Sequence, residues 1–142
     1  MVRTLNDKTD PFQDQVYGSS YGQVYINKAT EYNDGNESIY EISVTSSNGY
    51  DGNLTVTVVI RQDGIVFSAF YTELHETPGK GMLCDEPSFK KQFFGKNVAA
   101  FELGGAGDAR IDSVSGATIT SKATVNAVNA ALDFFYHVIM EG

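Results

Sequence analysis

The sequence predicts an α+β domain: a mostly antiparallel sheet, a short Phe-rich helix and a long C-terminal helix packed on the sheet. Three observations carry that expectation. Between Gln23 and Tyr71, four segments rich in β-branched and aromatic residues are separated by short Asn, Asp and Gly turns, which favours antiparallel neighbours. Near the C-terminus, Val125, Val128, Leu132, Phe135 and Ile139 recur at alternating spacings of three and four, which makes one apolar helical stripe. A length of 142 residues with 42% hydrophobic side chains suffices for one core and is short for two.

Residues 1–20 are polar and broken by Asp10-Pro11, so they read as an arm or linker entering a domain that spans 21–142. Gln23–Tyr32 is the first predicted strand, and Asn33-Asp34-Gly35-Asn36 turns the chain into Ser38–Ser46. There Tyr40, Ile42 and Val44 alternate with Glu41, Ser43 and Thr45, the pattern of a half-buried strand. Leu54–Ile60 places Leu54, Val56, Val58 and Ile60 on one face, and Gln62-Asp63-Gly64 reverses it into Ile65–Tyr71. From Thr72 to Glu86 no period is sustained, and Pro78, Gly79 and Gly81 fall within the stretch, so a long loop is expected, of the kind that carries function. Pro87 opens a short helix with Phe89 and Phe93 on one side and Gly95 as its stop. Val98–Leu103 is extended, and a glycine-rich GGAGDA segment follows. Thr120 or Ser121 is the expected N-cap of the long helix.

Composition excludes several classes of function. A net charge of −8 with only ten scattered Lys and Arg is wrong for a nucleic-acid partner or an anionic membrane surface; it fits a soluble surface or a basic protein partner. No run approaches the ~20 apolar residues of a bilayer span, so no direct membrane span is expected in this chain. Cys84 has no companion thiol, and His75 and His137 belong to no metal-ligand pattern. No metal site and no catalytic acid–base constellation are expected. GGAGDA lacks the Lys-Ser/Thr pair of a phosphate-binding P-loop.

The informative stretch is DSVSGATITS, Asp112–Ser121, with five hydroxyl side chains and Gly116 immediately before the long helix. A helix N-terminus presents unpaired N–H groups and the positive end of the macrodipole, which stabilise a phosphate without a nearby cation. Gly116 permits close approach or positive φ. From the residues alone two readings stand: a phosphate site, or hydroxyls that only cap the helix.

The order and spacing of Asp112, Ser115, Gly116, Ala117 and Thr118 resemble the flavinylation motif of the FMN-binding domain family. His75-Glu76-Thr77-Pro78-Gly79-Lys80-Gly81 is similar to the Glu-Thr-Pro-Gly loop of the G subunit of Rnf complexes and the C subunit of sodium-pumping NADH:quinone oxidoreductases. The resemblance covers about Gly22 to Met140, and Lys80 stands where an apolar residue is expected. It implies FMN joined by a phosphoester to Thr118 through a separate flavin transferase, with Ser115, Gly116, Ala117, Thr120, Ser121, Glu76, Thr77, Pro78 and Gly79 as cofactor-binding residues. It further implies an electron carrier without a substrate site of its own, other redox subunits of a membrane-bound ion-pumping complex as partners, and a place on the extracytoplasmic face of the membrane through an anchor absent from this chain. Glu76 either orients the loop and touches the flavin or is a solvated carboxylate. His75 is a proton relay or an exposed loop residue. Phe70 and Tyr71 flank the ring or, more in keeping with strand aromatics, belong to the core. Two other functions fit the same residues: a carrier module for an extracytoplasmic reductase of small unsaturated acids, and a non-redox protein-binding module whose Ser/Thr turn is only a cap.

Overall fold

Alternation and turn chemistry produce a sheet in which every strand pairs with its neighbour in sequence. The computed structural model describes residues 2–7, 24–46, 54–74 and 87–140, with 3–7, 73 and 74 described by backbone alone. Strands β1 (Val2–Asp7), β2 (Val24–Asn33), β3 (Ser38–Ser46), β4 (Leu54–Arg61) and β5 (Val66–Leu74) form one antiparallel sheet in chain order. Val2–Asp7, inside the segment read as an entering arm, pairs along β2 as an edge strand. β5 continues through Thr72–Leu74, past the point where the apolar alternation stops, because β4 still offers partners at Thr55 and Leu54.

The β2–β3 turn is closed by side chains. Asp34 accepts the amides of Asn36 and Glu37, each at 2.9 Å, and Asn33 accepts that of Gly35 at 2.8 Å. Gly35 takes φ +101°, a conformation that glycine adopts without strain. In β4 the alternation understates burial. Leu54, Val56, Val58 and Ile60 are buried as expected, and Thr55, Thr57 and Val59 on the other face are buried too. The hydroxyls there are paired across strands, Thr45 with Thr55 and Ser43 with Thr57, both at 2.8 Å, which removes the cost of placing them away from water.

After β5, helix α1 (Pro87–Lys90) runs into a 3₁₀ turn at Lys91–Phe93. Phe89 and Phe93 are both buried and meet edge to face, and Phe93 meets Phe101 in the same way. The extended stretch expected over Val98–Leu103 reduces to β6 (Glu102–Leu103), paired in parallel with β7 (Arg110–Ile111). The glycines between them, Gly104 and Gly107, take positive φ and fold the connection tightly.

Helix α2 (Thr118–Phe134) lies across β2, β3 and β4 and continues as a π turn over Phe135–Ile139. Val125, Val128, Leu132 and Phe135 are buried as the stripe predicts, and Ala123, Ala127, Ala130 and Ala131 are buried beside them. Small side chains let the helix approach the sheet closely, so the buried arc is wider than the stripe of large residues. Tyr40 of β3 meets Phe135 edge to face at 5.5 Å between ring centroids.

Candidate functional site

The start of α2 differs from the expected one. Neither Thr120 nor Ser121 is the N-cap; the cap is Ala117, without a side-chain hydrogen bond, and Thr118 is the first helical residue. The reason lies in what the Ser121 hydroxyl does instead. It accepts the amide of Val114 at 3.0 Å and donates to the carbonyl of Ala117 at 2.8 Å. From within the helix it thus holds the preceding turn, which satisfies an amide that a capping side chain would not reach.

That turn runs from Val114 to Ala117 and is closed by the Ala117 amide on the Val114 carbonyl at 2.9 Å. Gly116, in the third position, has φ +81°, as the third residue of a type II turn requires. A Cβ built on Gly116 meets no atom within 4 Å, so the space above the turn is open. Ser115, Gly116 and Thr118 are exposed, whereas Ala117, Thr120 and Ser121 are buried. The sequence-selected residues of this segment therefore divide into an outward set and an inward set that supports it.

The first amides of α2 have no earlier helical carbonyl to bond, and no acidic side chain lies in the first turn. Lys122, exposed and one helical turn after Thr118, places a cation on the same face. Among the described residues the Thr120 hydroxyl is fully buried and has no hydrogen-bond partner. A buried, unpartnered hydroxyl two residues after Thr118 is in keeping with a segment that receives a polar group. The residues fit a phosphate ester on Thr118.

Two further elements border the site. Tyr71, near the end of β5, shares a 2.8 Å hydrogen bond with Thr124, whose hydroxyl donates to the Thr120 carbonyl at 2.8 Å. Tyr71 is half-buried against the core, as expected of a strand aromatic, but Phe70 is 40% exposed and is not core. On the other side, a cleft of about 390 Å³ is lined by Ser88, Phe89, Gln92, Asp112, Ser113 and Val114. The Gln92 amide bridges its walls: it accepts the Asp112 amide at 2.7 Å and donates to the Asp112 carbonyl at 3.0 Å. The Asp112 carboxylate is exposed and paired with Arg110 at 2.8 Å.

Glu76, Thr77, Pro78 and Gly79, together with His75, Lys80 and Cys84, lie outside the described residues. β5 and α1, which flank that segment in sequence, both reach the site through Tyr71 and Phe89. Sequence reasoning passed over Gln92 and Lys122. Lys122 had a signal, its spacing of four from Thr118 on a helix; Gln92 had none, being a lone amide in a short helix remote in sequence from the motif.

The model of the FMN-binding domain family matches residues 49–133, which include β4, β5, α1, the turn at Gly116 and all but the last residue of α2. The chain belongs to the FMN-binding domain family. The cofactor that goes with this membership is FMN. Among curated relatives, the G subunit of the proton-translocating ferredoxin:NAD(+) oxidoreductase complex of Clostridium ljungdahlii is 33% identical over 101 residues, covering 70% of this chain and 55% of the relative. The G subunit of the ion-translocating oxidoreductase complex of Methanosarcina acetivorans is 37% identical over 87 residues, covering 61% and 46%. The chain thus spans about half the length of these relatives. The crystal structure of NqrC from Shewanella oneidensis superposes with a TM-score of 0.62 at 18% identity, covering 94% of this chain and 69% of that one. The C subunit of the Na(+)-translocating NADH-quinone reductase from Parabacteroides distasonis gives 0.61 at 22%, covering 96% and 75%. At these identities the two structures show a shared fold. Among the described residues no helix is long and apolar enough to cross a membrane, and no group of His, Cys, Asp and Glu could hold a metal ion.

Proposed function

We propose that this domain carries FMN in phosphoester linkage to the Thr118 hydroxyl and passes electrons between other redox subunits of a membrane-bound, Rnf-type ion-pumping complex. The observation that carries this reading is the position of Thr118: an exposed hydroxyl at the first residue of α2, behind an open Gly116 turn, in a chain matched by the FMN-binding domain model. When bound, FMN supplies reversible uptake and release of electrons. The chain's own residues anchor and orient it. The α2 amides and Lys122 favour the phosphate, while Ser121 fixes the turn. Glu76, Thr77, Pro78 and Gly79, in the segment that follows β5 in sequence, are further candidate contacts to FMN on the strength of the family resemblance. A covalent tether suits a carrier, because it prevents loss of the flavin in either redox state without altering the ring.

Attachment needs a flavin transferase. The names of the relatives, each the G subunit of a redox complex, support a setting among redox partners, and we place the domain on the extracytoplasmic face of the membrane. We take 21–142 as the FMN-binding unit. The test is co-production with a flavin transferase, followed by intact mass and peptide mapping. FMN less one water on the peptide containing Thr118, and none in Thr118→Val, is the expected result. An unmodified chain beside a modified control carrier overturns the reading and leaves a non-redox binding module.

A further inference from the structure

Asp112 follows a two-residue strand, β7, where its amide and carbonyl would otherwise end the ladder unpaired. Gln92 takes the place of the missing strand. Its side-chain oxygen accepts the Asp112 amide at 2.7 Å and its nitrogen donates to the Asp112 carbonyl at 3.0 Å, forming a closed pair like one rung of a sheet. The same nitrogen lies 3.3 Å from the Phe89 carbonyl. Gln92 is not a loose surface amide: it is half-buried, and the neighbouring Phe89 and Phe93 are anchored edge to face in the core.

At the other end of the same segment, Ser121 grips Val114 and Ala117. The stretch from Asp112 to Ala117 is therefore fastened at both ends by side chains from elements on either side of it. Between the fastenings Ser113, Ser115 and Gly116 are exposed, and Thr118 emerges just beyond the second one. The open cleft beside Asp112 and Ser113 leaves one flank of the segment approachable.

We propose that Gln92 is a positioning residue for FMN attachment: it holds Asp112 so that the transferase meets a preformed turn with Thr118 already aimed. This rests on the reading of Thr118 as the attachment site. The donor is a flavin dinucleotide, since its pyrophosphate supplies a leaving group that FMN alone lacks. The Thr118 oxygen bonds to the flavin-side phosphorus and the bridging P–O bond breaks. The nucleoside monophosphate departs with the bridging oxygen, and the hydroxyl proton passes to it or to solvent; no electrons are exchanged. Displacement at phosphorus requires the incoming oxygen in line with the leaving one, so a wandering turn lowers the rate even where binding is intact.

The experiment uses the full chain, a flavin transferase and flavin adenine dinucleotide, with initial rates taken from intact mass well below the thermal midpoint of each variant. Gln92→Leu keeps the bulk and removes both bonds; Gln92→Glu keeps the acceptor and loses the donor. Gln92→Leu is expected to lower kcat about tenfold with KM for the dinucleotide unchanged, and Gln92→Glu to fall between it and the parent. A role in stability alone would lower the midpoint and leave kcat as it is. Parental kcat in folded Gln92→Leu, or in Gln92→Glu if the leucine variant does not fold, overturns the proposal. If the parent chain itself stays unmodified beside a modified control, it is the Thr118 reading that fails.

Discussion

Asn129 of α2 exchanges two hydrogen bonds with the backbone of Phe101: its amide nitrogen donates to the Phe101 carbonyl at 2.9 Å, and its oxygen accepts the Phe101 amide at 2.7 Å. Both residues are buried. This pair ties the extended segment before β6 to the helix, and with it Phe101, which packs on Phe93 beneath the Gln92 turn. Asn129→Ala leaves two buried backbone groups unpaired and is expected to destabilise the domain by about 2–4 kcal/mol. Urea unfolding measures it, and a loss below ~1 kcal/mol would mean that water takes over both partners.

Thr120 gives the opposite expectation. Its hydroxyl is buried and, among the described residues, unpartnered, so Thr120→Val replaces an unsatisfied group by one of the same shape. Helix propensities of the two residues are close. The unmodified domain should gain about 1 kcal/mol. Thermal melts of flavin-free protein decide the matter, and a destabilised valine variant would show that the hydroxyl has a partner after all.

Gly64 sits at φ +92° in the β4–β5 turn, and a Cβ there would overlap the Tyr136 hydroxyl and approach Asn97 Oδ1 at 3.2 Å. Backbone and side chain therefore oppose Gly64→Ala together, at a cost of about 1–3 kcal/mol. Adding Tyr136→Phe removes the overlap and keeps the backbone strain, so the double variant should recover part of the loss. Equal midpoints for the single and double variants would assign the whole cost to φ.

The Asp34 carboxyl is held below its ordinary value of 3.8, first by the Glu37 amide and then by that of Asn36. A group whose folded value is depressed adds stability above its unfolded value and loses it as pH falls through the folded one. The β2–β3 turn is thus best supported above pH 3.8 and weakens below it. Asp34→Ala should flatten the acid limb of a midpoint-versus-pH curve; an unchanged limb would place the acid sensitivity elsewhere.

Much of this architecture was legible in the sequence, because β3 and β4 alternate cleanly and Asn33–Asn36 and Gln62–Gly64 can only turn. The stripe from Val125 to Phe135 likewise gave the buried side of α2. The misjudged points share a cause, the competition between local chemistry and distant partners. Ser121 looks like a cap in isolation and is drawn inside the helix by the Val114 amide. Phe70 looks like core, yet its register opposite Thr57 sets it on the face away from α2. β1 is too polar to announce itself and exists because β2 offers an edge. The candidate site was half legible: the outward residues Ser115, Gly116 and Thr118 fall within one short motif, whereas Gln92 and Tyr71 come beside it only through folding.

In chain order α2 comes after every strand of the sheet, and it covers the face formed by β2, β3 and β4. During synthesis the meander therefore leaves the ribosome with Ile42, Val44, Val56 and Val58 uncovered, a sticky intermediate until the helix arrives. The segment that shields this surface is also the one that displays Thr118. A molecule offering that hydroxyl in its ordered setting has already hidden its most aggregation-prone face, so attachment at Thr118, as proposed, would come with a built-in check on the quality of the finished chain.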